Sequence, residues 1–244
     1  MSVFASLVAH LADLLQPLFH ASATAAAIVV FTALVRLAVH PLSRAAARGQ
    51  KAKARLSPQI AELRKKHAKN PDRMQKALME LHAKEKVSPF SGCLPSLLQV
   101  PAFFLMYHLF SSGQIGGEPN GLLAHTLFAA PLGDRWTDAL AHGGVFGGAG
   151  LVYVALFVIV AAVATYNYRR TKVQMAGAAM DQQVPGMGAM TKVMPLLSFA
   201  TLLTVAWVPL AAALYVVTST TWSAVERAFL YRDMPVAGAL ATAG

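Results

Sequence analysis

Four runs of the chain, residues 14–35, 87–117, 139–168 and 193–225, contain no Asp, Glu, Lys or Arg. Each can supply the roughly 20 apolar residues that a membrane-spanning helix needs. The last run, 33 residues long, would form a helix of about 50 Å at 1.5 Å per residue, well beyond a hydrocarbon core of about 30 Å. Pro209 sits at its middle, in "WVPLAA". Two short spans, 193–207 and 209–226, joined by a tight turn fit better, and spans this short strain or thin a bilayer. With spans at 22–42, 90–112 and 149–168, the pattern predicts five.

The segments between the spans have their own periodicity. Residues 1–21 place Phe4, Leu7, Val8, Leu11, Leu14, Leu15 and Leu18 at amphipathic helical spacing. They carry Asp13 and lack a basic leader, which favours an interfacial helix on the outer leaflet over a cleaved signal peptide. In residues 43–89, Leu56, Ile60 and Leu63 recur at helical spacing, as do Met74, Leu78 and Leu81. "KNPD" at 69–72 supplies an N-cap with proline at the first helical position. The expected form is a helical hairpin. An external loop (113–148), a second internal loop (169–192) and a tail (227–244) complete the plan.

Composition agrees with the membrane class: 56% of residues are hydrophobic, and mean hydropathy is +0.49. The net charge of +10 comes from only 13% charged residues, so the basic excess is concentrated. Residues 43–89 hold 13 Lys or Arg against four acids, and residues 169–192 hold four against one. The regions before residue 22 and from 113 to 148 contain one basic residue, Arg135. Positive charge stays inside, so the N-terminus is expected outside. Five spans then put the C-terminus, with Arg227 and Arg232, in the cytoplasm. The basic segments would attract anionic headgroups or ribosomal RNA, without recognition of a particular nucleic-acid sequence.

One charge lies close to hydrocarbon. In "FTALVRLAVHPL" (31–42), Arg36 sits six residues before the end of the first span. Burial at the bilayer centre costs about 2.5–3.5 kcal/mol on insertion scales, so the group should face protein or water. Helical side chains lean toward the N-terminus, which aims the guanidinium away from the cytoplasmic surface. Thr32, Arg36 and His40 form one polar stripe at i, i+4 and i+8. No acid lies within an apolar run, and Glu226 stands at a span end. The expected counter-charge is water, chloride, a lipid headgroup or a visiting substrate.

Other polar positions could line the same cavity. Gln99 lies mid-span, Ser198 and Thr201 share a face of span four, and Tyr215, Ser219 and Trp222 share one of span five. Singly, each is also the kind of residue that packs helices together. A channel or ion-coupled transporter would call for intramembrane carboxylates, which are absent. The eight histidines form no HExxH, no GxSxG or Walker loop is present, and Cys93 is the only cysteine. Neither enzyme chemistry nor a metal site or cofactor is expected. A non-translocating assembly scaffold stays open as an alternative.

"TALVRLAVHPL", the basic hairpin after it, "GCLPSLLQVPAFFLMYHLF" (92–110) and "MPLLSFATLLTVAWVPLAAALYVVTSTTWS" (194–223) resemble the YidC/Oxa family of membrane protein insertases, in order and over nearly the whole chain. The resemblance implies five helices around a hydrophilic groove, open to the cytoplasm and to lipid and closed outside. Arg36 matches the groove arginine that receives hydrophilic, often acidic, parts of nascent membrane proteins, and Thr32 matches its polar neighbour. It implies a bacterial plasma-membrane location, with nascent membrane proteins and lipids as partners, and the ribosome and the Sec translocon as further candidates. Val216 stands where relatives often carry a second aromatic, and the tail after Arg232 is uncharged beyond Asp233. Ribosome contact is therefore expected at the hairpin and at residues 169–192. Met175, Met180, Met187, Met190 and Met194 either pack at the interface or bind apolar helices promiscuously.

Overall fold

The computed structural model describes residues 2–67, 70–85, 94–179 and 193–232. It is mostly helical. The helices are α1 (Ser2–Phe19), α2 (Ala23–Arg55), α3 (Ser57–Lys66), α4 (Pro71–Lys84), α5 (Leu94–Ser111), α6 (Trp136–Gly143), α7 (Gly148–Ala179), α8 (Ala200–Trp207) and α9 (Leu210–Leu230). Two stretches, Val3–Ala52 and Gly148–Val173, are long and apolar enough to cross a membrane, and Val193–Trp207 is a shorter apolar helix. Exposed apolar side chains such as Leu37, Phe104, Val158, Leu203 and Trp207 coat the helices. Water would oppose that surface, whereas lipid accepts it, provided the backbone is satisfied within helices. The molecule is an all-α membrane protein.

Helix α9 is the hub, packing against α2 most extensively and also against α5, α7 and α8. The apolar core gathers at the end of the bundle that carries residues 112–147, here called the loop end. Leu109 and Phe110 of α5, Leu132 of the loop, Tyr153 of α7 and Leu210 to Ala213 of α9 are fully buried there. Helix α1 joins this core through Val8 and Ala12 and folds back along α2, bringing the rings of Phe4 and Phe31 to 6.5 Å. The reversal between α1 and α2 passes through His20, whose φ of 47° lies in the left-handed region.

The loop is a small fold in its own right. Two antiparallel pairs of two-residue strands, β1 (Gln114–Ile115) with β2 (Glu118–Pro119) and β3 (Thr126–Leu127) with β4 (Ala130–Pro131), frame it. Asn120 is buried and donates from Nδ2 to the carbonyls of Leu109 and Ser112, both at 2.9 Å, filling acceptors left open at the end of α5. The loop then clamps the start of α9. Leu210 N–H donates to the Asp134 carbonyl at 2.8 Å and Ala211 N–H to that of Leu132 at 2.9 Å. Tyr153 donates its hydroxyl to the same Asp134 carbonyl at 2.6 Å, and Trp136 packs on the rings of Tyr153 and Phe157.

At the opposite end, α2 continues through Pro41 to Arg55, past the expected span end at residue 42. "RAAARGQKAKAR" (44–55) is rich in strong helix formers, so nothing stops the helix there. Leu56 is buried at the turn into α3, and α3 packs against α4. Asn70 caps α4, its side chain accepting from Arg73 N–H at 3.0 Å, with Pro71 at the first helical position. Helix α7 likewise runs past residue 168 to Ala179. Met180, Met187 and Met190 and the tail from 233 lie outside the described residues, as do the side chains of Met175 and Gln99.

Candidate functional site

Two cross-links tie α2 to α9 on the side of the bundle away from the packed core. Arg36 of α2 is half-buried. It donates from Nε to the Ser219 hydroxyl at 3.0 Å and from Nη2 to the same oxygen. Ser219 is buried and lies one turn beyond Tyr215 on α9. Tyr215 is fixed from behind by Phe103 and Phe110 of α5, each ring 5.9 Å away. The arginine thus rests on a serine one turn from a tyrosine that is wedged into the aromatic core.

One turn further along α2, His40 pairs with Glu226 of α9 through Nδ1. Ser219 and Glu226 are seven residues apart, two helical turns, and so share a face of α9. Arg36 and His40, four apart, share a face of α2. The two helices run in the same direction here, so the contacts stack as rungs. Glu226, Tyr215 and Arg227 all act electrostatically on the Arg36 guanidinium. The Glu226 carboxylate, at a span end, is thus carried by the phase of its helix to the face of α9 that bears Ser219, where His40 engages it.

The other sequence-predicted positions divide. Thr32 lies one turn before Arg36 but is 1% exposed, and its hydroxyl donates to the Ile28 carbonyl of its own helix at 2.7 Å. Ser198 and Thr201 are half-buried, and the Thr201 hydroxyl donates to the Ser198 carbonyl at 3.1 Å; no described hydrogen bond joins them to Arg36. Trp222 is half-buried, and its indole N–H, like the Thr221 hydroxyl, is sealed off with no partner among the described residues. An unmade bond of that kind costs about 1–3 kcal/mol. Arg36, Tyr215 and Ser219 are therefore assembled as one site, with Thr32 as packing behind it. The residues missed as a pair are His40 and Glu226. Their sequence signal was the polar stripe through His40 together with the seven-residue spacing from Ser219 to Glu226.

Burial along α9 changes at this site. Residues 210–217 are all buried, residues 220–223 are half-buried, and Val225 and Phe229 are exposed. Below the ladder a second clasp closes α7 onto the end of α9. Arg170 donates to the Arg227 carbonyl at 3.0 Å and to the Tyr166 hydroxyl at 3.2 Å, and lies over the Tyr231 ring. Burial pushes the Tyr231 hydroxyl above its ordinary pKa, against the pull of Arg227 and Arg170. No group of three or more His, Cys, Asp or Glu that could hold a metal occurs among the described residues.

The family model of the 60Kd inner membrane protein matches residues 15–237. The chain belongs to this family, the YidC/Oxa insertases. Named relatives agree. A membrane protein insertase YidC of Clostridium perfringens is 40% identical over 84 residues, covering 34% of this chain and 35% of the relative. Another, of Paraburkholderia phymatum, is 39% identical over 102 residues, 41% of this chain and 18% of the relative. A third, of Geobacter metallireducens, is 38% identical over 81 residues. The matched segments span about a third or less of each relative's length. Family membership ties the chain to membrane protein biogenesis.

Proposed function

We propose that this YidC/Oxa family member is an insertase. It takes hydrophilic segments of nascent membrane proteins into a cytoplasm-open groove at Arg36 and releases their apolar helices into the lipid. In this reading five spans lie in the bacterial plasma membrane, with the N-terminus outside and the C-terminus in the cytoplasm, the loop end outward and the basic α3–α4 hairpin inward. The observation that carries the proposal is a half-buried Arg36 bonded to Ser219 at the level where packing around α9 loosens. Above it the clamp of Leu132 and Asp134 on α9 fits a site closed on the outer side.

The physical effect is a lower barrier. A polar segment crossing bare hydrocarbon loses its hydration, whereas a wet groove reaching partway shortens the dry path. The apolar helix Val193–Trp207 spans only about 22 Å at 1.5 Å per residue, against a core of about 30 Å, and so favours local thinning. Arg36 holds an acidic segment transiently. Burying the substrate's apolar helix in lipid drives the reaction, and the membrane potential contributes about 2.3 kcal/mol per charge per 100 mV. The partners are nascent membrane proteins and lipids, and the basic hairpin is the surface offered to ribosomal RNA. The Sec translocon is a further candidate partner.

Reconstitution in liposomes tests the proposal, with protease protection of a substrate whose translocated segment is acidic. The wild type inserts it, and Arg36→Ala loses most of that activity. Undiminished insertion by Arg36→Ala would remove the proposed role of the arginine, and no insertion by the wild type would leave the chain as an assembly scaffold.

A further inference from the structure

The groove reading leaves an acid unexplained. Glu226 lies on the same face of α9 as Ser219, is only slightly exposed at 10% of its side-chain surface, and is held by His40. It also acts on the Arg36 guanidinium. An acid beside a cation meant for acidic substrates would be counterproductive unless something limits their pairing. His40 supplies that limit: it sits one turn closer to the hairpin end than Arg36 and engages the carboxylate through Nδ1.

We infer that Glu226 is an internal anion that competes with the acidic segments of substrates for Arg36, and that His40 is the positioning residue that holds it aside. This rests on the insertase reading above. While His40 holds the carboxylate, Glu226 does not contest an arriving acidic segment at Arg36. When the substrate leaves, Glu226 keeps a negative charge near the guanidinium, so the cation is not stranded in low dielectric and the departing acid is not retained. The device sets a preference: a carboxylate must outcompete Glu226, whereas a neutral polar segment has no such contest. Polar interactions that compete for one buried partner discriminate through the difference between two affinities.

Insertion of two substrates that differ only in an acidic or a neutral translocated segment tests this in liposomes, scored as the acidic-to-neutral ratio within each variant. The ratio cancels a general loss of folded protein. His40→Ala frees Glu226 to occupy Arg36, and the ratio falls by about fivefold or more, the usual scale of coupling between sites. Adding Glu226→Gln to His40→Ala restores it. Glu226→Gln alone raises the ratio or prolongs crosslinking of the acidic segment near Arg36. If Arg36→Ala lowers acidic insertion while His40→Ala and both Glu226→Gln variants stay within about twofold of wild type, on a scale where real coupling starts at about fivefold, the inference fails and the insertase reading stands. Equal losses for both substrates would make the pair a structural clasp and overturn the inference. If Arg36→Ala inserts normally, the role of Arg36 fails and the inference with it; if the wild type inserts neither substrate, the insertase reading itself has failed.

Discussion

The two ends of the bundle are built on opposite rules. At the loop end the groups of α5, α7 and α9 are satisfied by fixed partners: Leu109, Phe110 and Tyr153 are fully buried, and Asn120 and Tyr153 complete hydrogen bonds to backbone carbonyls. Toward the hairpin end the same α9 becomes half-buried, its polar groups reach across to α2, and the Trp222 indole N–H has no partner among the described residues. One helix thus passes from a packed core to a polar, loosened face within about three turns. Close packing and the proposed groove are separated along a helix rather than between domains.

Mutations at the two ends should therefore fail differently. Phe110→Ala should have the largest effect on stability, about 3–5 kcal/mol for an aromatic removed from a close-packed core, read as loss of resistance to denaturant in detergent. Leu37→Ala, on an exposed position of α2, should change little, and a similar loss there would erase the contrast. Asn120→Ala should come next. It strands the carbonyls of Leu109 and Ser112 and costs about 1–3 kcal/mol, with insertion per folded molecule unchanged.

At the hairpin end the readout is transport rather than stability. Arg36→Lys should recover only part of the acidic-substrate insertion lost in Arg36→Ala, because an ammonium cannot reproduce the fork that bonds Ser219 through both Nε and Nη2. Full recovery would mean that charge alone suffices. Ser219→Ala should cost about 1 kcal/mol in stability and reduce the acidic-to-neutral preference less than Arg36→Ala does. Asn70→Ala should be mildest, about 1 kcal/mol on α4 through loss of its cap, seen as faster amide exchange in that helix alone.

What the sequence made legible follows the range of each interaction. The start of α4 was readable at "KNPD" because a cap and an N1 proline act within four residues. The break at Pro209 was readable for the same reason: α8 ends at Trp207 and α9 begins at Leu210. The overrun of α2 to Arg55 was missed because the polarity that ends a membrane span does not end a helix. The strand pairs of the loop were not readable, since two residues show no alternation and their register comes from tertiary ties such as Asn120. Arg36 stood out as a charge in an apolar run. Ser219 was named as a lining residue of the same cavity and Glu226 only as an acid at a span end, and their meeting with α2 depends on how two helices dock across more than 180 residues of chain.

Access to Arg36 from one side of the membrane decides the account. Arg36→Cys in a Cys93→Ser background, reconstituted with known orientation, can be exposed to a membrane-impermeant maleimide added from either face. The account predicts labelling from the side of the basic hairpin and protection from the side of the 112–147 loop. Labelling from the loop side alone, or none from either side in folded protein, would contradict it.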